Sequence, residues 1–218
     1  VDDFDMGVTH VIRGDDHFTN TFRQKHIYNA LNWELPKYAH IPLIHGMDGG
    51  KLSKRHGALG VDSYDDMGYL KETMLNYLLR LGWSHGDKEI ISKEEAIKLF
   101  NLDSIGKSSA KFDIERLTSL NAYYIENKKN EELVLTIKNY YANKKNINIT
   151  NNDLSLILNG MNGLKTRART INELAEMCSF YIEKAPITLD KKSKKVLNNE
   201  NINTLKLYYN QLSKLEIW

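Results

Sequence analysis

The sequence predicts a small α/β portion followed by an all-helical region. Two runs rich in apolar and β-branched residues, 8–12 (VTHVI) and 39–44 (AHIPLI), flank a segment with helical spacing. A strand, a helix and a strand in this order form a βαβ unit, whose strands are parallel and whose crossover is right-handed. From residue 60 onward the apolar residues recur at helical spacing. These observations together predict a parallel α/β portion and a longer helical remainder.

Local signals predict where the first elements begin and end. The first strand ends at residues 13–14 (RG), and a capping-box pattern at 21–24 (TFRQ) predicts a helix that begins at Thr21 and passes Leu31. Pro42 lies within the second run. Because proline lacks the N–H that a sheet ladder needs, it predicts an edge or terminal position, or a short strand.

Apolar stripes and capping patterns predict the later helices. One stripe runs from Leu70 to Leu81 and stops at Gly82. Ser92 and Thr170 each begin a capping-box pattern. The remaining stripes are Leu117, Leu120 and Tyr124; Leu133, Ile137, Tyr140 and Tyr141; Leu154, Ile157, Leu158 and Met161; Ile171, Leu174, Cys178 and Ile182; Leu205, Tyr208, Tyr209 and Leu212.

Composition predicts a globular protein with a hydrophobic core and no membrane contact. Of the 218 residues, 41% are hydrophobic and 27% charged, and no apolar run approaches the roughly 18 residues of a membrane span. The one cysteine, Cys178, excludes a disulfide framework and a multi-cysteine zinc site. It favours a reducing, cytoplasmic setting. Because Cys178 lies on an apolar stripe, we expect a buried thiol.

Charge is distributed unevenly along the chain. Residues 1–127 hold 15 basic and 19 acidic residues, a net charge of −4, whereas residues 128–218 hold 15 and 9, a net charge of +6. A basic helical segment can bind a polyanion such as RNA through its phosphates. The alternative is a solvated basic surface, which charge alone favours.

The strongest local signal for chemistry is a glycine-flanked basic loop at residues 49–57 (GGKLSKRHG). Lys51, Lys54 and Arg55 place three cations within five residues, and ammonium and guanidinium groups suit the oxygens of a triphosphate. The loop follows the second predicted strand, and α/β folds bind ligands at the C-terminal ends of their strands. Its spacing differs from that of a Walker loop. The alternative is a solvated basic turn.

Residues 51–55 (KLSKR) resemble the Lys-Met-Ser-Lys-Ser signature of class I aminoacyl-tRNA synthetases. The longer form KLSKRHG is similar to the bacterial glutamyl-tRNA synthetases in particular. Residues 6–17 (MGVTHVIRGDDH) and 39–44 resemble segments of the same family, and the resemblance is dense from residue 1 to about residue 125. It implies the C-terminal half of a Rossmann-type nucleotide-binding fold, with ATP-dependent glutamate–tRNA ligase activity.

The resemblance also implies roles for individual residues. Arg13 would bind a carboxylate of glutamate, for which a guanidinium fork is apt. Lys51 and Lys54 would be catalytic, because they neutralise phosphate charge as the α-phosphorus is attacked. The implied ATP site consists of Asp16, Ile44, Lys51, Leu52, Ser53, Lys54 and Arg55. From the residues alone, Arg13 could instead pair with Asp15 or Asp16, and Asp16 could cap a helix.

The implied partners are ATP with Mg²⁺, L-glutamate and tRNA(Glu), with no protein-bound metal or zinc. We expect a cytoplasmic monomer. The resemblance divides the chain into three parts. Residues 1–60 would form the second half of the catalytic domain with the lysine loop, residues 61–127 a helical stem-contact domain, and residues 128–218 an incomplete helical anticodon-binding domain.

Arg167 and Arg169 are the candidate RNA contacts in the helical half. They precede the capping pattern at Thr170, and a helix N-terminus favours anions. The alternative is that these arginines pack on neighbouring helices or pair with Glu173 or Glu176.

The sequence departs from the family at its N-terminal side. The His-Ile-Gly-His motif and the arginine-rich first strand of the family are not found, and the chain begins without Met. We therefore expect the C-terminal part of a longer ligase. The alternatives are a catalytically inactive tRNA-binding fragment and a non-discriminating enzyme that also charges glutamine tRNA.

Overall fold

The computed structural model describes residues 1–52, 60–183, 191–197 and 199–215. The chain divides into two compact units, Val1–Tyr181 and Ile182–Trp218. The predicted site residues Ser53, Lys54 and Arg55 lie outside the described residues. In the described part of the chain, no helix has both the length and the apolar character needed to cross a bilayer.

The first unit begins with the predicted βαβ arrangement. Its elements are helix α1 (Asp2–Asp5), strand β1 (His10–Gly14), a 3-10 turn (Asp15–His17), helix α2 (Phe18–Ala30) and strand β2 (Lys37–Ile41). β1 and β2 are parallel, and Arg13 lies opposite His40 in their register. The predicted parallel strands with an intervening helix are therefore confirmed.

The predicted start of the connecting helix at Thr21 is wrong. α2 begins at Phe18, directly after His17, because the 3-10 turn that follows β1 passes straight into the helix. Thr21 lies within the first turns of α2, and its hydroxyl accepts a hydrogen bond from Arg13. The capping pattern is a local signal, and here a tertiary contact uses the hydroxyl instead.

The second predicted strand is divided at its proline. β2 ends at Ile41, and a separate strand β3 (Ile44–His45) follows after Pro42. The missing N–H of proline ends the pairing with β1, as the sequence predicts. β3 then pairs in parallel with a strand from much later in the chain, β4 (Ala110–Lys111).

Helices surround this second strand pair. They are α3 (Val61–Asp66), α4 (Lys71–Gly82), α5 (Lys93–Leu99), a 3-10 turn (Leu102–Ser104) and α6 (Ile114–Asn127). α4 comes close to β2 at Gly82, where an added Cβ would lie 2.8 Å from Ile41 Cγ2. Tyr64, Met74 and Tyr77 form a buried cluster with Leu117 of α6. This cluster packs α3 and α4 against α6.

The remaining helices of the first unit carry the main core. They are α7 (Asn130–Tyr140), a π-helical turn (Tyr141–Lys145), α8 (Asn151–Lys165) and α9 (Ile171–Ile182). The predicted stripes supply fully buried side chains, which are Leu117, Leu133, Ile137, Ile157, Met161, Leu174 and Cys178. Burial raises the pKa of the Cys178 thiol to about 12. The expected buried thiol is therefore confirmed.

Both predicted capping residues of the helical region, Ser92 and Thr170, accept a backbone hydrogen bond, but the box at Thr170 is incomplete. Ser92 accepts from the Glu95 N–H, and Thr170 accepts from the Glu173 N–H, both at 3.2 Å. The Glu173 carboxylate, however, accepts from the Arg169 N–H rather than completing the box at Thr170. A full capping box between Thr150 and Asp153, which was not predicted, begins α8.

The second unit contains two helices in its described part. They are α10 (Lys191–Val196) and α11 (Asn199–Leu212). α11 includes the predicted stripe from Leu205 to Leu212, so this last helix is confirmed.

Candidate active site

Arg13 lies at the C-terminal end of β1, where parallel α/β sheets place their ligands. Its Nη2 donates a hydrogen bond to the Thr21 hydroxyl at 2.7 Å, and its Nε donates to His40 Nε2 at 3.4 Å. The guanidinium carbon lies 5.5 Å from the centre of the Tyr38 ring, which is within cation–π range. α2 and β2 therefore hold the half-buried guanidinium of Arg13 between them.

His40 contributes to this arrangement as a neutral ring. Burial lowers the pKa of His40, and the positive charge of Arg13 lowers it further. A neutral imidazole has an unprotonated nitrogen that can accept, so its Nε2 is suited to the Arg13 Nε–H. The Thr21 hydroxyl lies 3.2 Å from the same nitrogen. The three side chains form one polar cluster at the strand ends.

Within the described residues, no carboxylate forms an ion pair with Arg13. The alternative pairing of Arg13 with Asp16 is not found, because Asp16 pairs with Lys51 instead. Asp15 likewise has no ion pair with Arg13. A positioned guanidinium without a protein carboxylate is chemically suited to the carboxylate of a ligand.

Asp16 and Lys51 bring the start of the basic loop to the end of β1. Lys51 Nζ donates to Asp16 Oδ2 at 3.1 Å, across 35 residues of sequence. This hydrogen bond, with the positive charge of Lys51, lowers the pKa of Asp16. Both side chains are exposed, with relative areas of 55% for Lys51 and 39% for Asp16. The pair is therefore open to exchange with a ligand.

A tight hairpin carries Lys51 to this position. Lys51 pairs with His45 in an antiparallel bridge, and the Leu52 N–H donates to the Ile44 carbonyl at 2.9 Å. Gly49 has φ +81 in the connecting turn, a conformation that favours glycine. The hairpin thus joins the predicted ATP-site residues Ile44, Lys51 and Leu52 through their backbones.

Three residues that contact Arg13 were not predicted as site residues. From the sequence, Thr21 is expected to begin a helix, and neither Tyr38 nor His40 is predicted to be a site residue. The signal was available in the parallel pairing, since aligning β1 with β2 brings His40 opposite Arg13. That register could not be fixed from the sequence, because the boundaries of β2 were misplaced.

The candidate RNA contacts lie between α8 and α9, and both side chains are exposed. Arg167 Nε donates to the Gly163 carbonyl at 3.0 Å. Arg169 Nη2 lies 3.1 Å from Glu115 Oε2 on α6. The acidic partner of Arg169 is therefore Glu115, and the expected alternatives Glu173 and Glu176 form no ion pair with either arginine in the described part of the chain.

A parallel βαβ unit with cationic side chains at its strand ends is the arrangement of a ligand-binding α/β domain. A family model described as tRNA synthetases class I (E and Q), catalytic domain, matches residues 1–119, and a second, described as anticodon binding domain, matches residues 117–218. The chain belongs to the class I tRNA synthetase (E and Q) family.

Curated relatives and solved structures give the same assignment. The chain is 50% identical over 219 residues to glutamate–tRNA ligase 2 of Paramagnetospirillum magneticum, and 50% identical over 215 residues to that of Rickettsia akari. A crystal structure of a glutamate tRNA ligase from Elizabethkingia meningosepticum, in complex with its amino acid, matches 99% of the chain with 30% identity and a TM-score of 0.80. The chain spans 46% of the length of each of these proteins.

Proposed function

We propose that the chain supplies the second half of the catalytic domain, and the helical RNA-binding part, of a glutamate–tRNA ligase. The ligase would attach L-glutamate to tRNA(Glu) at the expense of ATP. The observation that carries this proposal is Arg13, whose guanidinium is held by Thr21 and His40 and has no carboxylate partner within the described residues. Relatives about half identical in sequence support the choice of amino acid.

The proposed reaction has two steps, in which the protein mainly positions groups and stabilises charge. A glutamate carboxylate oxygen attacks the α-phosphorus of ATP, and the bond to pyrophosphate breaks. A terminal ribose hydroxyl of tRNA then attacks the acyl carbon, and AMP leaves. Arg13 would hold a carboxylate of glutamate, while Lys51 and Lys54 would stabilise the phosphate charge that grows in the first step.

The other parts of the site belong to the same proposal. Asp16, Ile44, Leu52, Ser53 and Arg55 would complete the ATP site. Mg²⁺ would enter with the triphosphate as part of the substrate, and no zinc site is proposed. The protein would act as a cytoplasmic monomer. Its proposed domains are residues 1–60 (second half of the catalytic domain), 61–127 (stem-contact domain) and 128–218 (anticodon-binding domain).

A second candidate is a tRNA-binding module without catalysis. Two observations favour it: the net charge of +6 on residues 128–218, and the match of residues 117–218 to an anticodon binding domain. Such a module would bind RNA phosphates through its basic surface. The two candidates differ in turnover, not in RNA affinity.

One set of assays separates these candidates. The chain is incubated with ATP, labelled glutamate and tRNA(Glu) transcript, and glutamyl-tRNA is counted while tRNA affinity is measured in parallel. Glutamyl-tRNA formation supports the ligase, whereas binding without turnover supports the module.

Glutamate binding by the same chain tests Arg13 directly. We expect Arg13→Gln to weaken binding, measured by NMR titration, by about tenfold or more, because a charge-assisted contact is lost. The matched control is Arg23→Gln, on the exposed surface of α2, which should leave binding unchanged. Equal glutamate binding by the wild type and Arg13→Gln would contradict the assignment of Arg13.

A further inference from the structure

A cavity lies between α4 and α6, away from the cluster at Arg13. Its volume is about 330 Å³. Arg80 lines it from α4, and Arg116, Ser119 and Tyr123 line it from one face of α6, with Glu89 from the connecting loop. Residues spaced three, four and seven apart share a helix face, so α6 presents these three side chains together. Two guanidinium groups thus face one small cavity.

Arg80 has no acceptor among the described residues. Its Nε and Nη1 atoms are buried without a hydrogen-bond partner, and it takes part in none of the ion pairs found in that part of the chain. Arg80 as a whole is half-buried, but buried donor atoms without a partner are costly, and folded proteins rarely keep them. The guanidinium of Arg80 therefore has two buried N–H donors that an anionic ligand could satisfy.

The carboxylate in the cavity wall already has a cationic partner. The Glu89 carboxylate pairs with Arg116 Nη2 at 2.8 Å, which balances the charge of Arg116. The Asn76 side-chain oxygen already accepts from the Ile91 N–H and the Tyr124 hydroxyl. One positive charge, that of Arg80, is left over in the cavity, so a matching acceptor would have to come from a ligand.

We propose that this cavity binds a phosphate-type oxyanion through Arg80, with Arg116 at its side. A planar guanidinium fork matches the geometry of phosphate oxygens, and a cavity of about 330 Å³ has room for a phosphate group. The phosphate could be free or part of an RNA backbone, since both present the same oxygens. The site is distinct from the proposed ligase site, and the inference does not rest on ligase activity.

Thermal stability in inorganic phosphate tests the proposal. A ligand that binds only the folded state raises the melting temperature in proportion to the logarithm of its concentration above Kd. We expect phosphate to raise the Tm of the chain relative to chloride at equal ionic strength, and the rise should continue with the logarithm of phosphate concentration above Kd. Arg80→Met should lose this rise, and Arg80→Lys should need about tenfold more phosphate, because the fork is lost.

The same experiment contains its folding control. Arg80→Met removes two buried donor atoms that have no partner and with them a desolvation cost, so this variant should melt no lower than the wild type in chloride. The matched variant Lys107→Met removes an exposed cation that does not line the cavity and should keep the phosphate response. An equal phosphate response in wild type and Arg80→Met, or none in either, would overturn the proposal.

An RNA arm identifies the source of the phosphate. tRNA affinity is measured for the wild type, Arg80→Met and Lys107→Met, with and without saturating inorganic phosphate. If Arg80→Met alone weakens RNA binding, and phosphate competes with RNA in the wild type and in Lys107→Met but not in Arg80→Met, the site holds a backbone phosphate. If RNA affinity is unchanged while the thermal response depends on Arg80, the ligand is a free anion.

Discussion

Asn121 connects three parts of the first unit through one buried amide, and its replacement by leucine should be severely destabilising. The side chain is fully buried. Its oxygen accepts from the Leu70 N–H at 2.9 Å and from the Thr73 hydroxyl at 2.8 Å. Its nitrogen donates to the carbonyls of Arg169 at 2.7 Å and Gly68 at 3.3 Å. The amide therefore joins α4, α6 and the turn before α9.

The magnitude follows from the groups that Asn121→Leu leaves unpaired. The Gly68 carbonyl keeps a second donor, the N–H of residue 171. The Leu70 N–H, the Thr73 hydroxyl and the Arg169 carbonyl lose the partner that Asn121 provides. Each unmet group costs about 1–3 kcal/mol, so the three together cost about 3–9 kcal/mol. Even at the lower end of this range, a few degrees per kcal/mol for a chain of this size give a fall in Tm of about 10 °C.

Thermal unfolding followed by circular dichroism measures this loss. The matched control is Asn127→Leu on the same helix, where the side chain is exposed and donates only to the Tyr123 carbonyl, so that Tm should change little. In the double variant Asn121→Leu, Thr73→Val, the unpaired hydroxyl is removed, and the total loss should be smaller than the sum of the single losses. A Tm for Asn121→Leu within about 2 °C of wild type would refute the argument.

The remaining predictions test the proposed ligase. In a ligase that carries this chain, Arg13→Lys should raise the KM for glutamate by about tenfold or more, because charge is kept and the fork is lost; an unchanged KM would make Arg13 structural. Lys54→Ala should slow adenylate formation, followed by pyrophosphate exchange, far more than it weakens glutamate binding; equal losses would contradict its role. Arg167→Ala with Arg169→Ala should lower tRNA affinity and flatten its salt dependence. If affinity and salt slope stay the same, these arginines are not phosphate contacts.

The helical region was predictable because its signal is repeated. Each stripe from Leu133 to Cys178 recurs over several turns and faces a buried core, so one misleading residue does not change the outcome. The start at Thr21 rested on a single four-residue pattern. A contact with Arg13, eight residues earlier, decides how its hydroxyl is used, and such a contact is invisible to local spacing.

The strand pairs show a similar limit. The parallel pairing of β1 and β2 follows from the order of elements, but the partner of β3 is β4, more than sixty residues later. Nothing in a two-residue strand specifies so distant a partner. The approach of α4 to Ile41 at Gly82 is likewise set by packing. The general architecture could therefore be predicted, whereas the second sheet could not.

The candidate site divides into residues found by motif and residues found only by structure. Arg13, Asp16 and Lys51 carry recognisable chemistry at recognisable positions. Thr21, His40 and Tyr38 are ordinary residues whose roles depend on the strand register that brings them to Arg13. These supporting contacts depend on how the strands and the helix pack in three dimensions. A sequence motif therefore predicts the charged groups but not the side chains that hold them.

The two cations of the described site differ in how firmly they are held, and this difference fits the proposed reaction. Arg13 is half-buried and fixed by two hydrogen bonds, so it can hold a carboxylate without losing further side-chain freedom. Lys51 pairs with Asp16 on the exposed surface, and exposed pairs of this kind contribute little to stability. A triphosphate carries several negative charges and would displace Asp16 from Lys51 at little cost. The proposed site thus combines a rigid contact for the amino acid with an exchangeable one for the nucleotide.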